Sequence, residues 1–234
     1  MKRWLAAGLL FAATPIAMVA AQDWNLTFEQ TERGHRVGDP EAPAQLIEFV
    51  SYTCPHCAHF EQESEAGMRM HYIHGGLANV EVRSVIRNPV DLAASLVAEC
   101  GTSDQFFGNH RAIMLSHDRW MEKARGATPA QMQRWSTGSI ASRMRAIGDD
   151  LDFHELMEPR GLSRSQVDQC LSDEAKALEI VEHNEANNAD FDIPGTPSFA
   201  VNGTLLQGVH TWDSLQPVLD NPALAETGVE STAQ

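Results

Sequence analysis

Three observations predict an α/β domain interrupted by a helical insertion. The first is a strand–helix–strand order: Ala44 to Val50 reads as a compact buried strand broken only by Glu48, a helix follows from about Cys54 toward Ile73, and Val80 to Ile86 alternates with period two. That order suits a parallel crossover unit. The second is a long stretch, about 90–187, whose apolar residues recur at helical spacing. The third is the late return of strand character at Pro197-Ser198-Phe199-Ala200-Val201, followed by the Asn202-Gly203 turn, Thr204-Leu205-Leu206 and a closing helix from about Thr211 to Leu219.

Each part follows from its residues. Lys2 and Arg3, a short apolar run from Leu5 to Ala13, and the small residues Ala17, Ala20 and Ala21 make residues 1–21 a secretory signal peptide, with cleavage after Ala21 or after Ala20. The apolar run and Pro15 are wrong for a permanent membrane span, and no later stretch approaches 18 apolar residues. Residues 22–89 hold an irregular lead-in, closed by the turn-rich Gly38 to Pro43, and the first part of the α/β domain. Gly75-Gly76 ends its helix and Asn88-Pro89 breaks its second strand.

In the insertion, 90–187, Leu92, Leu96 and Val97 share one helical face, Phe106, Phe107, His110 and Ile113 another, and Met132, Trp135 and Ile140 a third. Ser163 with Gln166 forms a capping box, and Asp173-Glu174 starts a helix reaching Val181. Residues 188–222 complete the α/β domain, and 223–234 read as a flexible acidic tail.

The chain of 234 residues carries 32 acidic and 17 basic side chains, a formal net charge of −15, which becomes more negative when Lys2 and Arg3 leave with the signal peptide. Such a surface repels nucleic acid and anionic membrane and favours solubility. The length supports a large core, so disulfides are not needed in place of one.

Cys54-Pro55-His56-Cys57 places two thiols one helical turn apart at a strand-to-helix junction. At a helix start, unpaired N–H groups and the helix dipole favour a thiolate at Cys54. His56 adds positive charge or a donor, and Pro55 suits the first helical position because its missing N–H is not needed there. A stable thiolate leaves readily, so the pair reads as an oxidant. C-x-x-C is also half of a zinc site, but Cys100 and Cys170 lack a second such spacing. The reading requires no metal and no cofactor. Glu48 has two readings: an ordinary surface-facing strand position, or a partly buried carboxylate that shares a face with Leu46 and Val50 and exchanges a proton as Cys57 reacts.

With Glu48-Phe49, Cys54 to Cys57, the helical insertion and Gly195-Thr196-Pro197-Ser198-Phe199, the chain resembles the DsbA-like branch of the thioredoxin superfamily from about Val37 to Leu219. The resemblance implies a thioredoxin-like fold with an inserted helical domain, and a periplasmic thiol:disulfide oxidase. It makes Cys54 the exposed attacking sulfur, Cys57 the buried resolving one, Glu48 the acid beside it, and Pro197, preceded by Thr196, a cis-proline opposite the pair. It implies as partners reduced, extended exported polypeptides and a membrane quinone-linked thiol oxidase that restores the disulfide. The protein is expected to be a monomer. Some relatives carry a further disulfide, which would pair Cys100 with Cys170; two separate buried thiols are the alternative. A disulfide isomerase or reductase could use the same cysteines. An isomerase is less favoured because only about 16 residues, Gln22 to Val37, precede the core, too few for a separate oligomerisation domain. A non-catalytic peptide-binding chaperone is the remaining reading.

Overall fold

The structure is a computed structural model that describes residues 22–226, so the expected signal peptide and residues 227–234 lie outside it. Six strands form one sheet: β1 (Phe28–Gln30), β2 (His35–Val37), β3 (Ala44–Val50), β4 (Ala78–Ser84), β5 (Ser198–Val201) and β6 (Thr204–Leu205). Their spatial order is β1-β2-β4-β3-β5-β6. β3 and β4 run parallel and β5 lies antiparallel on the other side of β3. This is the mixed sheet expected from a crossover unit completed by a late hairpin. That hairpin closes at Asn202-Gly203, both at positive φ, as a two-residue turn requires.

Alternation along β3 sorts its two faces. Leu46 and Val50 join the main core with Phe60, whereas Ile47 and Phe49 pack on the other side of the sheet against Phe191 and Ile193. Helix α1 (Pro55–Gly67) crosses from β3 to β4 and continues as a π-helical turn, Met68–Ile73, before Gly76 at φ +69° ends it. β4 begins two residues earlier than the alternation suggests and stops at Ser84, because parallel pairing with β3 runs from Ala44–Ala78 to Val50–Ser84.

Between β4 and β5 the chain is all helical: α2 (Pro89–Ala98), α3 (Ser103–Leu115), α4 (His117–Arg125), α5 (Pro129–Ser136), α6 (Ile140–Asp150), α7 (Phe153–Met157), α8 (Arg164–Leu171) and α9 (Glu174–Phe191). The capping box at Ser163 and Gln166 is present. Two expectations are corrected. Met132 and Trp135 lie on α5 but Ile140 opens α6, since Gly138 at φ +98° breaks the helix between them. α9 runs on to Phe191, ten residues beyond Val181. Its polar second half is held by tertiary bonds: Asn184 Oδ1 accepts from Ile86 N at 3.0 Å and buried Asn187 accepts from Arg83 Nη1 at 3.1 Å. Such bonds offset the weak helix propensity of asparagine.

The insertion docks through α3. Phe106 stacks on His35 of β2 with ring centroids 4.0 Å apart, and Phe107 meets Phe28 of β1 at 6.0 Å. After β6 comes α10 (Trp212–Asp220), whose Trp212 packs edge-on to Phe60 and Tyr72. Pro222–Ala225 then forms a 3₁₀ turn with Ala225 buried, so the packed chain extends past the expected start of the tail at 223. Among the described residues no helix is long and apolar enough to cross a membrane.

Candidate active site

The end of β3 delivers Ser51, Tyr52 and Thr53 to the N-terminus of α1, where Cys54 is the N-cap and Pro55 the first helical residue. Cys54 and Cys57 are both free thiols and both buried. Cys54 is only 3% exposed, against 1% for Cys57, so the expected contrast between an exposed and a buried sulfur is not found in side-chain exposure. The loop before β5 is the reason: Thr196–Pro197 is cis, and the Thr196 carbonyl oxygen lies 3.1 Å from Cys54 Sγ.

The contrast lies in ionisation instead. A hydrogen bond from the Cys57 thiol, aided by the main-chain N–H groups of Cys57 and His56, brings Cys54 down from 9.0 to about 4 against the opposing effect of burial. Cys57 moves the other way. Burial raises it well above the ordinary thiol range, and the hydrogen bond it gives to Cys54, the charge on Cys54 and the carboxylate of Glu48 raise it further. His56 is exposed, and its backbone N–H is among the groups that lower Cys54. Pro55 takes the first helical position as expected.

Glu48 is 5% exposed and shares the core-facing side of β3 with Leu46 and Val50. Burial, then the nearby charge of Glu61, raises its carboxyl well above the usual range. It lines a cavity of about 460 Å³ between α1, α3 and the sheet, together with Glu61, Ser64 and His110. His110 connects this cluster to the active-site turn, its Nδ1 lying 3.0 Å from the Tyr52 hydroxyl and its Nε2 3.6 Å from Glu61 Oε2.

A second group around the turn has no counterpart in the sequence reading. Asp91, fully buried in the first turn of α2, accepts from Ser51 Oγ at 2.7 Å, Thr53 N at 2.9 Å, Arg87 N at 3.1 Å and Asn88 Nδ2 at 3.1 Å. Thr53 Oγ1 accepts in turn from Arg87 Nη2 at 3.0 Å and Asn88 Nδ2 at 3.1 Å. The start of the insertion thereby grips the two residues beside Tyr52, directly before Cys54. An acidic residue three places after Asn88 reads in sequence only as a favourable helix start, and nothing in the pattern links it to Ser51 or Thr53.

Cys100 and Cys170 are bonded, with Cα atoms 5.6 Å apart, tying the end of α2 to α8. Asp149, His154 and Asp168 also converge within the insertion. His154 already spans both carboxylates, at 3.5 and 2.8 Å, and Asp149 also pairs with Arg164.

A helix-start thiol pair facing a cis-proline, inside a sheet split by a helical insertion, has close parallels. The model of the family described as thioredoxin matches residues 30–221. The chain belongs to the thioredoxin family. Its fold is that of the DsbA-like thiol–disulfide oxidoreductases. A crystal structure of a protein-disulfide isomerase from Novosphingobium aromaticivorans is 40% identical, with a TM-score of 0.75, over 83% of this chain and 97% of that one. Wolbachia pipientis alpha-DsbA1 shares the fold at 20% identity and a TM-score of 0.61, over 82% of this chain and 91% of that one. A putative protein-disulfide oxidoreductase of Rickettsia conorii is 26% identical over 197 residues, 83% of this chain, which spans 62% of that relative's length.

Proposed function

We propose that the chain is a thiol:disulfide oxidase that passes the Cys54–Cys57 disulfide to reduced exported polypeptides in the periplasm. The observation that carries this reading is the split between the two thiols, Cys54 held at about 4 and Cys57 held high. In the oxidised form a client thiolate attacks Cys54 Sγ, the Cys54–Cys57 bond breaks, and Cys57 leaves. Cys57 is the poorer leaving group, and neutral Glu48 supplies the proton that it takes up. The client's second thiolate then attacks the client's first sulfur, the one bonded to Cys54, forming the client disulfide and expelling Cys54 as a stable thiolate. Two electrons pass from client to enzyme, and the client keeps the disulfide. Reoxidation runs these steps backwards against a quinone-linked membrane thiol oxidase, with Glu48 accepting the Cys57 proton.

Thr196 and cis-Pro197 stand over Cys54, where the backbone of an extended client would lie. The export-type N-terminus supports the compartment, as does a Cys100–Cys170 disulfide of the kind that persists outside a reducing cytosol. We assign that second disulfide a structural role, because neither sulfur caps a C-x-x-C helix.

The Novosphingobium relative, described as a protein-disulfide isomerase, favours isomerisation as the second reading. Parallel assays decide between them. An oxidase oxidises a reduced dithiol peptide rapidly and repairs a scrambled-disulfide protein poorly; the opposite ranking would establish the isomerase. Cys57→Ala is expected to trap the client on Cys54.

A further inference from the structure

A groove of about 450 Å³ opens beside the active-site turn, between the start of α2 and the α4–α5 pair. Its inner end is Thr53, the residue directly before Cys54. Its walls are mainly apolar: Pro89 and Val90 from α2, Met121 and Ala124 from α4, and Met132 and Trp135 from α5. It lies on the insertion side of Cys54, whereas Thr196 and Pro197 approach from the sheet side.

Building on the oxidase reading, we propose that this groove is a specificity site. It takes a bulky apolar side chain within two residues of the client's reacting cysteine and disfavours a basic residue there. The occupant is fixed by tethering. In the mixed disulfide the client's sulfur is bonded to Cys54, and an extended chain advances only about 3.5 Å per residue, so a residue flanking that cysteine is within reach of Thr53 and the groove beside it.

The walls suit varied side chains. Met121 and Met132 are unbranched thioethers that repack around different shapes, and Met132 is half exposed, at 51%. The Trp135 ring is fixed by its Nε1 donating to Asp150 Oδ2 at 2.8 Å, giving the adaptable methionines a rigid back wall. The inner end is equally fixed, since Asp91, Arg87 and Asn88 hold Thr53 in place. Arg125 also lines the groove, a cation on a chain of net charge −15. Its field opposes a lysine or arginine beside the client's cysteine and accepts an acidic one.

Three reduced dithiol peptides test the site, identical except that the residues flanking the first cysteine are leucine, serine or lysine. The rate of mixed-disulfide formation is measured on the oxidised full chain. The leucine peptide is expected to react at least tenfold faster than the serine peptide, with the lysine peptide slowest. In Met132→Asp the leucine and serine rates should converge to within about twofold, whereas Leu178→Ser, an exposed apolar change on α9, should preserve the preference. Equal rates on the unsubstituted protein, or a preference that survives Met132→Asp, would overturn the groove while leaving the oxidase reading intact. Failure of all three peptides to react would overturn the oxidase reading and the groove with it.

Discussion

At Cys54 the helix start and the Cys57 thiol combine to hold a thiolate in a buried place. At this sulfur the folded dithiol protein therefore carries one proton fewer than the unfolded chain between about pH 4 and 9. The stability that Cys54 contributes should rise with pH across that window and be lost as pH falls to about 4. The disulfide form has no such group, so the reduced form should be the more stable one at neutral pH. Denaturant unfolding of both forms at several pH values checks this, and the gap should close at the acid end. Cys57→Ala removes the largest stabilising contact and should raise the Cys54 midpoint, read from thiolate absorbance or alkylation rate. His56→Ala is expected to raise that midpoint by less, since the His56 backbone N–H stays in place.

Glu48 carries the opposite sign. Its carboxyl is raised by burial, so its neutral form contributes stability that is present below the ordinary carboxyl range and is lost as pH rises toward the raised value. Glu48→Gln should make the protein more stable at neutral pH. It should also slow the step in which Cys57 gains or loses a proton and flatten that step's pH dependence. Stopped-flow measurement of the resolving step gives the second result independently of the first.

Among the elements, the turn from β3 to α1 depends on α2, which lies across the boundary of the insertion. Asp91→Ala leaves Ser51, the Thr53 N–H and Asn88 without their buried acceptor and should cost about 3 kcal/mol. Ser51→Ala removes one of those bonds and should cost about 1 kcal/mol. Both should alter the Cys54 alkylation rate, because the turn they loosen positions its sulfur.

This is also where sequence reading reached its limit. Strand β3, the helix start at Pro55 and the Asn202-Gly203 hairpin were legible, since alternation, capping and turn chemistry are local, whereas the cis state of Pro197 came only from the family resemblance. Glu48 was legible because its position in β3 fixed the face it shares with Leu46 and Val50. Asp91, Tyr52 and His110 were not, because each acts through a partner at least 38 residues away. The length of α9 was hidden for the same reason, since Asn187 and Asn184 accept from strand β4 and the loop after it. The exposure of Cys54 was misjudged because a distant loop, not its own helix, covers the sulfur.

Over the whole molecule, the sheet supplies the thiol pair and its acid, and the insertion supplies the brace, the groove and the second disulfide. The Cys100–Cys170 bond closes a separation of 70 residues and should stabilise the fold by up to about 4 kcal/mol through the unfolded chain. Replacing both cysteines with alanine should lower the melting temperature while leaving Cys54 titration and disulfide transfer unchanged. Unfolding curves and the peptide oxidation assay separate the two effects.

On the oxidase proposal the Cys54–Cys57 pair is poised to give its disulfide away. The most direct test is the equilibrium of that pair with a glutathione redox buffer at neutral pH, read by mass mapping of Cys54 and Cys57. The expected reduction potential lies above about −180 mV, more oxidising than the protein disulfide isomerase value. A potential at or below that value would contradict the proposal.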